Sequence, residues 1–470
     1  MLLRPTSLRL VTRRCRTRLP FRFGITTMTE APMLVAELRA DTDSGPATGY
    51  AAELLVPKWF SKDERTSVED DRGDLIAAAR SAFDEVQAFG AACGGATAFD
   101  LWLHAQMACV ERPSVAAADR LVRTFGVSLV ERAIIDAACR VREALFFDVL
   151  DSHGLGIRFG EIDPRLTGWG GEALGRRSTS TRVRHTVGLA DALDESDVPP
   201  EQRGDDDHPL CLVDDIRAYG LTCFKVKVAG DAEADLARLE RIASLTPSGS
   251  QFTLDGNEQY GDPSELADVL DELEARSTAE GLLGGLLAIE QPVHRAMTFD
   301  PSTRDGIARL AERAPVLIDE ADADLTSYPR ARNLGYGGVS VKACKGVFRA
   351  LLARARIDAD GEGVQSAEDL TNLPILPLHQ DLSLVSAIGL PHVERNGHHY
   401  FRGQGHLAPA ELEHLVRSHP DLYEPDGRLR IEDGRIELGS LDLRGHGGGG
   451  FGYAGPIEID HGAPAEEVPA

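Results

Sequence analysis

The chain has 470 residues, 42% of them hydrophobic, enough to bury one large core of barrel size together with an accessory domain. Its 50 basic and 75 acidic residues give a formal net charge of −25, which argues against nucleic acid or an anionic membrane as partner. A small anionic substrate stays compatible, because a bound metal can reverse the field inside one pocket.

No apolar run approaches the roughly 20 residues that span a bilayer. The seven cysteines are scattered and include no Cys-x-x-Cys pair, so they read as reduced packing residues of a cytoplasmic chain. Residues 1–18 are Arg-rich and acid-free, as a transit peptide would be. Yet Leu8-Arg9-Leu10-Val11-Thr12 alternates like a strand and leads straight into Leu19 to Gly24, so the segment is read as structure.

In chain order, strands are expected at 8–17, 33–40 and 49–55. Helices follow at 74–89, 97–109 and 129–150, where apolar residues recur at three- and four-residue steps. This pattern predicts a small α+β domain over 1–165, joined by a Gly-rich connection that ends near 181. From 182 to 405, short apolar runs alternate with amphipathic helices. Eight strands are expected, at 182–187, 223–228, 251–255, 286–290, 315–319, 338–342, 363–367 and 391–395. Eight repeated units predict an α/β fold, a (β/α)8-type barrel, with an open doubly wound sheet as the alternative.

An insertion at 191–209, containing Asp205-Asp206-Asp207, is read as a solvated mobile loop. The segment 406–470 holds one more strand-like stretch at 428–438. Its glycine-rich run at 445–452 lacks the Lys-Ser/Thr of a phosphate loop and is read as a loop. The Glu-rich end is expected to be disordered.

Five of the barrel strands end in a charged residue: Lys225 and Lys227, then Asp255, Glu290, Asp319 and Lys342. Active sites of barrels lie at this strand end. Lys225 and Lys227 fall on one strand face, and two ammonium groups held close lower at least one pKa towards a usable general base. Asp255, Glu290 and Asp319 would offer three hard oxygen ligands from consecutive strands, which suits Mg2+ or Mn2+. The absence of His and Cys from this set disfavours zinc.

The series Lys225-Val226-Lys227, Asp255-Gly256-Asn257, Glu290-Gln291-Pro292, Asp319-Glu320 and Lys342-Ala343-Cys344-Lys345-Gly346 resembles the enolase superfamily, in its mandelate racemase and muconate lactonizing enzyme branch. The resemblance implies a barrel under an N-terminal capping domain, to which the C-terminal segment returns. It implies that Asp255, Glu290 and Asp319 bind Mg2+ (or Mn2+), with Lys227 as base on one face of the substrate, Lys342 as acid or base on the other, and Lys225 as companion. Asn257 would contact substrate or hold water. Phe23 and the Lys58-Trp59 segment would belong to the two loops that cover the substrate.

A lysine on the sixth strand resembles the muconate lactonizing and dipeptide epimerase type. His379 is placed in the seventh helix as a packing residue. Ser366 and Glu368 at strand seven, and Glu394 at strand eight, are expected to contact substrate. Strand eight lacks the Asp-x-Asp of dipeptide epimerases, which counts against a dipeptide. Glu320 should point away from Asp319, and Lys345 is assigned a structural role.

The expected function is removal of the α-proton of a small-molecule carboxylate, with a metal-stabilised enediolate, leading to racemisation, epimerisation or cycloisomerisation. A dehydratase using the same residues, a Schiff-base aldolase and a non-catalytic barrel module are the alternatives. A homo-oligomer is expected.

Overall fold

The computed structural model describes residues 1–203, 208–401, 405–442, 451–453, 455, 457 and 466–467. The N-terminal part opens with β1 (Leu3–Arg13), β2 (Arg16–Phe23), β3 (Thr26–Glu30), β4 (Met33–Thr42) and β5 (Gly45–Leu54). β1, β4 and β5 form an antiparallel sheet in that order, and β2 forms a separate two-stranded sheet with β3. The single strand expected at 8–17 is therefore two. From Ser7 to Arg13 β1 stays in register with β4, while the chain bends at Arg14-Cys15 and leaves the sheet as a separate hairpin.

Three helices cover this sheet: α1 (Val68–Cys93), α2 (Ala98–Cys109) and α3 (Arg120–Arg142). Ser67 with Asp70, and Thr97 with Asp100, form reciprocal capping boxes that satisfy the first free N–H groups of α1 and α2. α3 is wedged between β5 and α1. A Cβ on Gly49 would fall 2.0 Å from the Ala133 carbonyl oxygen, and one on Gly126 would fall 2.3 Å from the Ala78 backbone.

The helix expected at 129–150 differs at both ends. Residues 124–139 are buried on every side, so no apolar stripe marks where α3 begins. It stops at Arg142 because Glu143 adopts φ 49° as a left-handed cap, and Phe146–Asp151 is a separate short helix.

The barrel consists of β6 (Ser180–Val187), β7 (Cys223–Lys227), β8 (Gln251–Asp255), β9 (Leu286–Glu290), β10 (Val316–Ile318), β11 (Gly338–Val341), β12 (Val364–Ala367) and β13 (His392–Arg395). These eight strands are hydrogen-bonded in sequence order and all parallel, and β13 pairs back onto β6 to close the ring. The open-sheet alternative is thereby excluded. Strands buried on both faces explain the continuous apolar runs that marked them in the sequence.

The strand expected at 428–438 shrinks to β14 (Arg435–Glu437), which pairs antiparallel with the start of β6. Ahead of it, the helix Pro409–Ser418 sends Glu411 into a buried ion pair with Arg13 of β1, 2.8 Å apart. Glu466 and Glu467 pair with Thr12 and Val11, so this part of the tail is a strand edge where disorder was expected. The remaining residues from 458 onward, most of the glycine-rich run, and Asp205-Asp206-Asp207 lie outside the described residues.

The described part of the 191–209 insertion is tied down: Asp194 and Asp197 pair with Arg241, and Asp191 accepts a hydrogen bond from the Tyr400 hydroxyl. All seven cysteines are free thiols. No helix among the described residues is long and apolar enough to cross a membrane.

Candidate active site

Strand register brings the charged ends together. Lys227, Asp255 and Glu290 are direct neighbours across β7, β8 and β9, at one level of the barrel. Lys225 sits one inward-facing level lower, beside Thr186 and Thr253. Asp319 and Lys342 follow directly after β10 and β11, and Glu368 after β12. Lys225, Lys227, Asp255, Glu290, Asp319, Lys342, Glu368 and Glu394 are all buried.

The Lys225 ammonium is the hub. It lies 2.9 Å from Asp255, 2.8 Å from Glu290, 2.7 Å from Glu368 and 3.0 Å from Glu394. Lys227 donates to Asp255 at 2.5 Å. Lys342 bridges Asp319 and Glu368, 2.8 Å from each, and its ammonium stands 4.6 Å from the centre of the Trp59 ring. The other oxygen of Glu368 accepts from Arg184 at 2.9 Å.

Against the cost of burial, the surrounding carboxylates hold Lys225 and Lys342 well above the usual lysine range. Burial, then the Asp255 and Glu368 charges, push the Glu290 carboxyl well up. Glu368 moves the other way: against burial, Lys225 and Lys342 hold it well below its usual range.

Glu290, Asp319 and Glu368 each present an oxygen, and these three atoms lie within 4.8 Å of one another. Glu290 Oε1 is buried and accepts no hydrogen bond from any described group. An all-carboxylate set with an unsatisfied inward oxygen fits a hard divalent cation such as Mg2+ or Mn2+. Asp255 adjoins this set with one oxygen on Lys225 and Lys227, while the other accepts the Asn257 backbone N–H at 2.8 Å.

A small pocket of about 30 Å3 lies above the cluster, lined by Lys227, Lys342, Asp369, Glu394 and Asn396 and roofed by Phe21, Phe23, Val56 and Trp59. Phe23 and Trp59 thus reach the cavity. Lys58 does not: at φ 56° it turns back into its own loop, bonding the Asp63 and Thr66 carbonyls and pairing with Asp71 at 2.8 Å. Lys62 is the lysine of this loop that reaches the barrel, pairing with Glu258 at 2.5 Å and donating to the Asn257 carbonyl. Ser366 lies one inward-facing level below Glu368, beneath the cavity, because side chains on one strand face repeat every second residue.

Glu320 was expected to point away, yet it is fully buried and accepts from the Asn257 side chain at 3.0 Å. Burial, then Asp319, push its carboxyl up to about 7. Lys345 also joins the site, donating to the Ser340 carbonyl and standing 3.2 Å from Asp319. His379 is remote, in the helix Leu376–Ile388 and 2.8 Å from the Tyr423 hydroxyl.

No family model matches the chain. A curated relative from Citrifermentans bemidjiense, named hydrophobic dipeptide epimerase, is 26% identical over 206 residues, and the match spans 44% of this chain and 45% of that protein. The chain thus spans less than half the length of this relative. Among solved structures, an enolase from Bradyrhizobium in complex with magnesium and mandelic acid superimposes with a TM-score of 0.61 at 16% identity, covering 97% of this chain and 96% of that one. A 2-chloromuconate cycloisomerase from Rhodococcus opacus gives 0.60 at 17% identity, with 97% and 98% covered. The chain shares with these structures a (β/α)8-type barrel joined to an N-terminal α+β domain. A dipeptide epimerase from Cytophaga hutchinsonii, in complex with Mg and the dipeptide D-Ala-L-Val, has the same fold at a TM-score of 0.56 and 15% identity, over 86% of this chain and 89% of that one.

Within this barrel, several supporting residues escaped the sequence reading. The Gln291 side chain accepts the Asp319 and Ala321 backbone N–H groups and so holds the end of β10 in place; its signal was the Glu290-Gln291-Pro292 triplet. Arg295 pairs with Glu258 and donates to the Trp59 and Phe60 carbonyls, which fixes the covering loop to the barrel. Asp369 lines the cavity and pairs with Arg395, and burial pushes its carboxyl up to about 7. No motif pointed to Arg295 or Asp369.

Proposed function

We propose that this chain is an enzyme that depends on a divalent cation, removes the α-proton of a carboxylate substrate and completes a racemisation, epimerisation or cycloisomerisation. One observation carries the reading: Lys227 and Lys342 line the same pocket from β7 and from the end of β11, four strands apart in a ring of eight. Two proton-carrying groups therefore address one substrate from opposite sides. Burying this many charges costs too much to be explained by packing alone.

Glu290 and Asp319, with Asp255 and Glu368 beside them, would hold the cation. When bound, it supplies positive charge at the substrate carboxylate and so lowers the cost of α-deprotonation. Lys227 takes the α-proton on one face. Lys342 delivers a proton to the other, and Trp59 packs over its ammonium. Lys225, already oriented by four carboxylates, presents a fixed positive charge to the anion that forms.

The cavity roof of Phe21, Phe23, Val56 and Trp59 suits an apolar substituent on the acid. The two carboxylates at its rim are engaged, Asp369 by Arg395 and Glu394 by Lys225 and Thr186. A free ammonium thus finds no spare partner. The reading therefore favours an N-acyl amino acid or a cyclic dienoate over a dipeptide.

The test is α-proton exchange in D2O with N-acyl amino acids, dipeptides, cyclic dienoates and acid sugars, with Mg2+ and after chelation. Exchange of an apolar carboxylate that stops on chelation is the expected result. Exchange that survives exhaustive chelation, or none with any class, overturns the proposal.

A further inference from the structure

A second cluster of ligating side chains lies on the outside of the barrel, at the seam where β6 and β13 close the ring. Arg184 and Thr186 of β6 point inward, to Glu368 and Glu394. His185, between them, therefore points outward. It is the register partner of Arg395 at the end of β13. Above it lie Asp215, on the helix Leu212–Tyr219, and His398 and His399, in the short helix Gly397–Tyr400 that follows β13.

The distances draw these groups onto one point. Asp215 Oδ2 is 2.7 Å from His399 Nδ1 and 3.8 Å from His185 Nε2. The three ligating atoms lie within 4.8 Å of one another, and all three residues are buried, Asp215 completely. A buried carboxylate is normally hydrogen-bonded on both oxygens. Here neither oxygen of Asp215 accepts a hydrogen bond of proper geometry from any described group, and His399 Nδ1 is equally without one. Asp215 Oδ2 and His399 Nδ1 form an ion pair when that imidazole is protonated, and a cation would take the place of its proton.

We infer that His185, Asp215 and His399 form a structural site for a divalent transition cation of the zinc class. Two imidazoles and one carboxylate match the ligand preference of Zn2+ or Co2+ and are poorly suited to Mg2+, which separates this site from the all-carboxylate one inside the barrel. The outer shell is consistent with it. His185 Nδ1 lies 3.0 Å from His398 Nε2, so Nδ1–H can donate there and leave Nε2 with a free lone pair aimed at Asp215.

The three ligands come from the first barrel strand, the first helix after it and the turn after the last strand. A cation at this point fastens the two ends of the barrel to each other. Its binding free energy would add to the stability of the closed ring.

Elemental analysis and X-ray absorption on the full-length protein, loaded with Zn2+ in excess Mg2+, test the assignment. The expected result is a retained equivalent of zinc with two imidazoles in its first shell, and an unfolding temperature that rises with Zn2+ beyond the effect of Mg2+. Asp215→Asn and His399→Gln should lose both the zinc and the rise, whereas Glu290→Gln, altered only inside the barrel, should keep them. Should the Asp215 and His399 variants fail to fold, the absorption spectrum of the wild-type protein decides alone. Zinc that is not retained, zinc bound without imidazole, or zinc lost from Glu290→Gln overturns the site.

Discussion

Replacing Glu368 by Gln removes a negative charge shared by Lys225, Lys342 and Arg184, at 2.7, 2.8 and 2.9 Å, while preserving side-chain volume. All four groups are buried. Removing one partner of a buried ion pair costs roughly 3–5 kcal/mol, because a desolvated charge is left stranded. Glu290 offsets part of this. Burial and its carboxylate neighbours, Glu368 among them, hold Glu290 towards its neutral form. Once the Glu368 charge is gone, Glu290 can ionise against Lys225, 2.8 Å away.

The expected loss is therefore about 3 kcal/mol, the lower end of the range. At about 1.4 kcal/mol per decade this is roughly a hundredfold in the folding equilibrium. The sign of its pH dependence follows from the depressed carboxyl of Glu368. Such a group contributes fully above its unfolded pKa of about 4.3, and the contribution fades as pH falls through the lower folded value. Urea unfolding of metal-free wild type and variant, from about pH 3 to about pH 8, should show a gap that is widest near neutrality and narrows below about pH 4.3. A variant as stable as wild type near pH 7, or a gap that stays constant down to pH 3, refutes the shared-charge account.

Glu290→Gln and Asp319→Asn should abolish cation-dependent α-proton exchange while leaving the fold intact by circular dichroism; normal exchange in either variant removes that residue from the cation site. Lys227→Ala and Lys342→Ala should each slow exchange by about 10²–10⁴, the typical value of a positioned acid or base. The two should spare opposite enantiomers, and loss of the same enantiomer in both contradicts the two-sided geometry. Trp59→Ala removes a ring 4.6 Å from the Lys342 ammonium, worth about 0.5–2 kcal/mol, and opens the cavity roof, so KM should rise with exchange still detectable. Lys58→Met should lower the unfolding temperature and leave KM unchanged, since its contacts are to Asp63 and Thr66 of its own loop and to Asp71 of α1; a change in substrate ranking would place Lys58 in the cavity after all.

The barrel and its charged strand ends were legible in the sequence for a local reason. A strand buried on both faces must be apolar until it reaches the site, so the charge that interrupts the run marks both the strand end and the candidate site. Lys225, Lys227, Asp255, Glu290, Asp319 and Lys342 carry that signal, and the order of eight runs carried the topology. α3 shows the opposite case, because a helix buried on every side has no stripe to mark its start, and its end depends on the single left-handed residue Glu143. What no stretch of sequence could decide is which charges meet. Glu368 becomes the bridge between two lysines, Lys58 pairs with Asp71 of α1 while Lys62 reaches the barrel, and Asp215 meets His185 and His399. Each of these pairings joins residues from separate elements, and their positions follow from barrel closure and loop docking, which depend on the whole chain at once.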